Sequence, residues 1–185
     1  MDSIPVHALW LAQDDPKKNT AVLASKRGDL KINQNVRSLP KRGVILEPLC
    51  GKVFGPEDHE LLTQRRGALV GLDCSWAHIE TSVESVMKRT RLQPRMLPLL
   101  LAANPVNWGK PGRLTTAEAL ATVLYLVGRR DQAADVLGAF RWGGRFFELN
   151  QEPLDAYASA TSSQQLVDLQ FDFFDIERPP EGDES

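Results

Sequence analysis

LLLAANPVNWGKPGRLTTAEAL, residues 99–120, interrupts an apolar run with two asparagines, two prolines and two glycines, and then opens a helix. Thr115 and Glu118 carry the Thr-x-x-Glu spacing of a capping box, in which each side chain satisfies the other residue's backbone N–H. Ala117, Leu120, Ala121 and Leu124 then follow at helical spacing, and Gly128 supplies the stop. Ahead of the helix, MLPLLLAA (96–103) contains Pro98, which leaves only its second half as a strand. A strand leading through a sharply turned loop into a capped helix is the α/β signature that the rest of the chain is read against.

Further upstream, VHALWLA (6–12), GVILEP (43–48) and GALVGLD (67–73) are short apolar runs closed by turn signals, and each reads as a buried strand. Asn19 or Thr20 caps a short helix through Ser25, with Gly28 as its left-handed stop. PEDHELLTQRR (56–66) starts a second helix with Pro56 and places acids in its first turn, where the macrodipole favours them. Residues 131–140 predict another helix, and 145–159 one or two more, interrupted by Pro153. The end, FFDIERPPEGDES, is acidic and Pro-rich and reads as a disordered tail. Strands alternate with short helices first and helices dominate the last third, which is an α/β pattern.

The 185 residues, 42% of them hydrophobic, suit one globular domain or two small lobes sharing a core. No apolar stretch approaches the ~20 residues that span a bilayer, so no membrane partner is expected. The N-terminal MDSIPVHALWLAQDD has no basic segment followed by a long apolar one, so no signal peptide is expected either. Cys50 and Cys74 fit no metal-binding spacing and make no disulfide framework, which reads as free thiols in a reducing cytoplasm. The formal net charge of −2 is unevenly spread. Residues 1–52 hold nine Lys/Arg against five acids, whereas residues 148–185 hold ten acids and only Arg178. A basic segment beside an acidic end permits a nucleic-acid partner without demanding one.

His7, His59 and His78 are scattered, and neither HExxH nor GxGxxG occurs. Cys74 has only His78 nearby as a base, too little for a nucleophile. Asp73 matters more, because it ends the buried strand GALVGLD, and ligands of open α/β sheets bind outside the carboxyl ends of strands. One loop with Asp73, Ser75 and Trp76 and another with Asn104 and Asn107 could face one crevice for a polar small molecule. The plainer alternative stands beside it: Asp73 caps the next element, Trp76 is core, and the asparagines make turns.

Six motifs occur together and in order: DPKKNT (15–20), GVILEP (43–48), LDCSW (72–76), LPLLLAANPVNWGKP (97–111), LTTAEAL (114–120) and FRWGGRFFELNQEPLDAY (140–157). Over roughly residues 7–160 the sequence resembles the small-subunit ribosomal RNA aminocarboxypropyltransferases of archaea and eukaryotes. The resemblance implies an N-terminal α/β lobe (1–66, basic and RNA-facing) and a C-terminal lobe (67–160) with the knotted, SPOUT-like trefoil fold, leaving 161–185 as the acidic tail. It implies S-adenosylmethionine as donor and transfer of its 3-amino-3-carboxypropyl group, with release of 5′-methylthioadenosine. The acceptor it implies is N3 of a uridine- or pseudouridine-type base, in rRNA or a pre-ribosomal particle, modified by a cytoplasmic monomer.

Carried over residue by residue, the resemblance implies cofactor contacts at Thr20, Leu72, Leu97, Ala103, Asn104 and Thr115 or Thr116. It implies Trp76 as the wall beside the sulfonium. Asp73 becomes a candidate general base, with a purely structural hydrogen bond to the loop as its alternative. Lys17, Lys18, Lys26, Arg27, Lys31, Arg37, Lys41 and Arg42 are the expected rRNA phosphate contacts. Two positions depart from the family's usual residues: Asn19 stands where a cysteine is common, and Trp108 where a tyrosine is common. A SPOUT-type RNA methyltransferase and a non-catalytic ribosome-assembly factor are the competing readings.

Overall fold

The computed structural model describes residues 2–178, apart from the side chain of Trp76. Five parallel strands form one sheet: β1 (Val6–Trp10), β2 (Lys31–Asn33), β3 (Gly43–Leu46), β4 (Ala68–Asp73) and β5 (Gln93–Arg95), in the order β2-β1-β4-β3-β5. The helices are α1 (Thr20–Ser25), α2 (His59–Thr63), α3 (Ile79–Met87), α4 (Thr116–Leu126), α5 (Arg130–Leu137), α6 (Gly143–Leu149), α7 (Gln151–Ser159) and α8 (Ser163–Phe173).

The central strands are apolar except for His7 of β1 and Asp73 at the end of β4, because both faces are covered. Val44, Leu46 and Leu69 point to one face, where they meet α1, α2 and α4 through Ala21, Leu62, Leu120 and Leu124. Ile45 and Val70 point to the other, against Leu39, Val86 of α3 and Leu92. Connections that move toward β2 place their helices, α1 and α2, on the first face, and the β4–β5 connection, which moves the other way, places α3 on the second. That is what right-handed crossovers require. The chain leaves β1 and its neighbour β4 in opposite directions, so a crevice opens beyond their carboxyl ends.

β1 and β3, from the expected N-terminal lobe, flank β4 from the expected second one. The boundary at residue 66 therefore runs through a single sheet with shared cores rather than between two separate ones.

Three further differences from the sequence reading have local causes. The run 99–103 is not a strand. Alternate N–H groups go to side chains from distant elements: Leu99 to Gln170 Oε1 at 2.7 Å, Leu101 to Asn150 Oδ1 at 2.8 Å and Ala103 to Glu118 Oε1 at 2.7 Å, while Leu100 and Ala102 pair with the backbone of the loop at 109–112. The strand on that side of the sheet is instead β5, with Pro94 at the edge, where a missing N–H is tolerated. Second, α6 and α7 break at Asn150, not at Pro153. Asn150 is fully buried and its amide clamps both Leu101 and the carbonyl of Phe146, whereas Pro153 sits in the first turn of α7. Third, residues 163–173 form α8, capped by Ser162 and packed on α7 through Leu166, rather than a disordered tail. Residues 179–185 of that expected tail lie outside the described residues.

Gly71 marks where α4 meets the sheet. A Cβ there would lie 2.8 Å from Thr116 Cγ2 and 3.3 Å from Leu120 Cδ2. Gly71→Ala should therefore push the start of α4 off β4, at about 1–3 kcal/mol for the overpacking. Thermal unfolding should show a melting temperature lower by several degrees, together with weakened ligand binding at the adjoining cavity. An unchanged melting temperature would mean that α4 yields freely at this contact.

Candidate active site

The carboxyl edge of the sheet gathers four chain segments. Asp73 ends β4, Asn19 follows β1, Glu47 follows β3, and the capped N-terminus of α4 lies over β4. Thr115 accepts from Glu118 N–H while the Glu118 carboxylate accepts from Thr115 N–H at 2.7 Å, so the capping box expected from the sequence is formed.

Between these segments lies a cavity of about 320 Å³, near the lower end of the ~300–1,000 Å³ usual for small-molecule sites. Leu46, Leu72, Leu97, Leu99 and Leu114 give it apolar walls, with Thr115, Thr116, Glu47, Cys74 and Arg95 as its polar points. The Arg95 guanidinium is already committed: it pairs with Asp58 at 2.8 Å, both side chains buried, and bonds the carbonyl of Pro94. Among the described residues no acceptor meets the Thr116 N–H at the cavity wall. The helix N-terminus therefore offers a donor and a favourable dipole to an anionic group.

Asp73 has both oxygens engaged. Thr116 Oγ1 donates to Oδ1 at 2.8 Å, and the Asn19 side-chain amide, which also bonds Asp14, donates to Oδ2. Burial raises the pKa of Asp73. The bonds from Asn19 and Thr116 pull it down, and the charge of Asp14 adds to the rise. Burial, then Asp73, then Glu47 push the Cys74 thiol up to about 11, so it stays protonated near neutral pH and is no nucleophile.

Of the expected cofactor residues, Leu72, Leu97, Thr115 and Thr116 line the cavity. Thr20 stands behind it and accepts from Ala117 N–H at 3.4 Å, which ties α1 to α4. Ala103 and Asn104 are buried, and their N–H groups go to Glu118 at 2.7 and 3.1 Å instead of the cavity. They shape the loop from below. Trp76 opens a short 3-10 turn after β4, but its side chain lies outside the described residues. Asp73 is not part of the lining, though its neighbours Leu72 and Cys74 are.

The eight basic residues are all exposed, but they do not form one patch. Lys17, Lys18 and Arg37 follow the carboxyl ends of β1 and β2 and share the edge that holds the cavity. Lys31, Lys41 and Arg42 stand at or just before the amino ends of β2 and β3, with Lys26 and Arg27 nearby at the end of α1, toward the opposite edge. Arg27 pairs with Asp29 and bonds the carbonyl of Gly138, so it also fastens α1 to the end of α5.

Two residues that sequence reasoning did not single out as site residues are prominent. Glu47, only 4% exposed, projects into the cavity. Glu118, fully buried, holds the loop with four donors. Its capping-box spacing was the available signal, but that predicts one bond to the helix start and not a second set to Ala103 and Asn104. Among the described residues no group of three or more His, Cys, Asp and Glu is placed to hold a metal ion, and no helix is long and apolar enough to cross a membrane.

Comparison with known proteins fits this geometry. The family model described as "Ribosome biogenesis protein, C-terminal" matches residues 44–174. A protein of Methanothermobacter thermautotrophicus named 16S rRNA aminocarboxypropyltransferase is 41% identical over 159 residues, covering 86% of this chain and 92% of that one. A protein of the same name from Methanosarcina acetivorans is 38% identical over 167 residues, covering 90% and 92%. Among solved structures, the SAM-dependent rRNA:acp-transferase Tsr3 from Vulcanisaeta distributa superposes with a TM-score of 0.77 at 34% identity, over 91% of this chain and 97% of that one.

Proposed function

This chain belongs to the 16S rRNA aminocarboxypropyltransferase family, and we infer from that premise that it transfers the 3-amino-3-carboxypropyl group of S-adenosylmethionine to small-subunit rRNA during ribosome biogenesis. The observation that carries the reading is the cavity at the carboxyl edge of the sheet, lined by the start of α4 and by Glu47, with Asp73 beside it on Thr116.

The residues present fit such a donor. Leucines supply apolar walls for an adenine, the Thr116 N–H and the α4 dipole suit an amino-acid carboxylate, and Glu47 favours a nearby sulfonium. When bound, the sulfonium supplies an activated γ-carbon and leaves as 5′-methylthioadenosine. The protein's share is positioning, because three carbons of the sulfonium are open to attack and only the γ-carbon gives this product. An acceptor nitrogen held in line at about 3–3.5 Å decides between them.

We assign N3 of a uridine- or pseudouridine-type base as the acceptor, whose imide proton must leave. Asp73, beside the cavity, is assigned the role of taking or steering that proton, and its raised pKa makes its ionised form a stronger base. Trp76 is assigned the wall beside the sulfonium methyl. Thr20, Ala103 and Asn104 act by holding α4 and the loop in place. The knotted cradle implied by the family resemblance is the proposed topology for residues 97–116, supported by their anchoring to α7 and α8 through Tyr157 and Gln170. Lys17, Lys18 and Arg37 are the proposed phosphate contacts. Val106 and Trp108, 83% and 51% exposed at the loop tip, offer apolar surface for an unstacked base. A monomer in the cytoplasm is the proposed working form.

Incubation with S-adenosylmethionine labelled in its carboxypropyl carbons and rRNA lacking the modification tests the reading. Label in a uridine-type nucleoside with 5′-methylthioadenosine released is the expected result. A methylated base with S-adenosylhomocysteine would establish a methyltransferase instead. Particle binding without either product would leave an assembly factor.

A further inference from the structure

The edge of the sheet opposite the cavity is where β3, β4 and β5 begin. The segments that enter them, 40–42, 64–66 and 88–91, carry Lys41 and Arg42, Arg65 and Arg66, and Lys88, Arg89 and Arg91, and no acid. All of these cations are exposed. β4, β3 and β5 are neighbours in the sheet, with Gly43 beside Ala68 and Val44 beside Gln93, and Ala68 N–H donates to the Arg42 carbonyl at 3.0 Å. The cations therefore stand along three adjacent strand ends, about 4.8 Å from one strand to the next.

Two of them have partners on their own helices. Arg65 pairs with Glu60 of α2 at 3.0 Å, and Lys88 with Glu84 of α3 at 2.6 Å. The same two answer the negative ends of those helices. Among the described residues, Lys41, Arg42, Arg66, Arg89 and Arg91 have no acid within ion-pair distance. Arg66 also sits at φ 52°, a left-handed position after a helix, where glycine is usual. A charged side chain is kept there against the backbone preference. Like charges along one edge repel one another until a polyanion neutralises them.

The charge selects a polyanion, and the neighbourhood selects its form. None of the exposed large apolar side chains, Leu49, Val106, Trp108 and Ile176, belongs to these segments. The segments offer no platform for an unstacked base and no apolar wedge for a lipid surface. They offer donors to phosphates, which is how paired RNA is held. Four of the five unpaired cations are arginines, whose planar fork fits phosphate oxygens two at a time.

Resting on the reading of this chain as an enzyme of rRNA, we propose that the amino edge of β4, β3 and β5 is a second RNA surface, which grips the phosphates of a double-stranded stretch away from the reacting base. From Arg42 to Glu47 at the cavity, β3 and its ends span about 16 Å. The gripped stretch is separated from the acceptor base by the length of the strands, so the protein senses the fold of its RNA as well as the base.

The test measures binding of an RNA duplex of about 20 base pairs by fluorescence anisotropy, at salt concentrations between about 50 and 200 mM. The proteins are the wild-type chain, the triple variant Arg66→Gln, Arg89→Gln, Arg91→Gln, and the single variant Arg66→Gly. The glycine suits the left-handed backbone and guards against a variant that fails to fold. The triple variant should bind the duplex on the order of 10- to 100-fold more weakly, and its plot of log affinity against log salt should be shallower by about three, one for each lost contact. For Arg66→Gly the slope should change by about one, with a melting temperature no lower than that of the wild type. Binding of 5′-methylthioadenosine, which belongs to the other edge, should be the same in all three. Equal duplex affinity and equal slope in all three proteins would overturn the second surface. So would a wild type that ignores the duplex but binds vesicles of phosphatidylserine and phosphatidylcholine through the same arginines. Failure of the wild type to bind 5′-methylthioadenosine would sink the reading of the cavity instead, with the duplex surface still judged by its own slope.

Discussion

Glu118→Ala should be the most damaging single substitution at the site. The carboxylate is fully buried in the first turn of α4 and accepts from Ala103 N–H, Asn104 N–H, the Asn104 side-chain amide and Thr115 N–H at 2.7–3.1 Å. Truncation strands four donors where water cannot easily follow. At about 1–3 kcal/mol for each stranded group, and allowing for some relaxation, a loss of roughly 4 kcal/mol is expected. That is a large part of the ~5–15 kcal/mol a domain has in total. At about 2–4 °C per kcal/mol for a chain of this size, the melting temperature should fall by roughly 10 °C. Glu118→Gln keeps the shape but turns an NH₂ toward two of the donors, so it should fall only partway less. A loss below about 1 kcal/mol in both variants would mean that water or a rearranged loop serves these groups, and that the loop does not depend on Glu118.

The second large effect is catalytic. Asp73→Asn should lower kcat by about 10²–10⁴, the worth of general-base help, with little change in the affinity for S-adenosylmethionine, because Asp73 stands beside the cavity and not in its lining. The pH profile gives a separate readout. A base must be ionised, so wild-type kcat should fall as pH drops through the raised pKa of Asp73, and the variant should lose that limb. For stability the sign is opposite. A carboxyl whose folded pKa lies above its unfolded one holds its proton more tightly when native. Its ionisation therefore costs nothing below the unfolded pKa and is fully felt above the folded one. The substitution relieves that cost at neutral pH while disturbing the bond from Asn19, so the melting temperature should stay within a few degrees. A kcat loss below tenfold with an intact acid limb would leave Asp73 as an anchor for Asn19 and Thr116.

How legible these features were in the sequence follows from the range of their interactions. β3, β4 and α4 could be read directly, because an unbroken apolar run and a Thr-x-x-Glu start are local statements. Leu99–Ala103 could not. Its composition suits a strand, but it pairs with its own loop at 109–112 instead of the sheet, and its side-chain partners at 118, 150 and 170 are announced by nothing near 99. α8 did carry a local signal, with Ser162 as cap and Leu166, Leu169 and Phe173 on one face, but the acidic composition of the segment masked it. Glu47 at the end of GVILEP reads as an ordinary solvated acid until the cavity beside it is seen. The eight basic residues expected to contact rRNA phosphates from one basic lobe separate in three dimensions because parallel strands place their two ends on opposite edges.

The way the 99–103 run is held has a consequence for how the protein comes into being on its own ribosome. Leu99 hangs on Gln170 and Tyr157, and Leu101 hangs on Asn150. Every residue of the sheet, from Val6 to Arg95, is synthesised before the residues that tension the loop. A chain cut short within α7 would lack Gln170, and with it Leu166 of the core beneath the sheet, so it should lose its ligand site and part of its stability together.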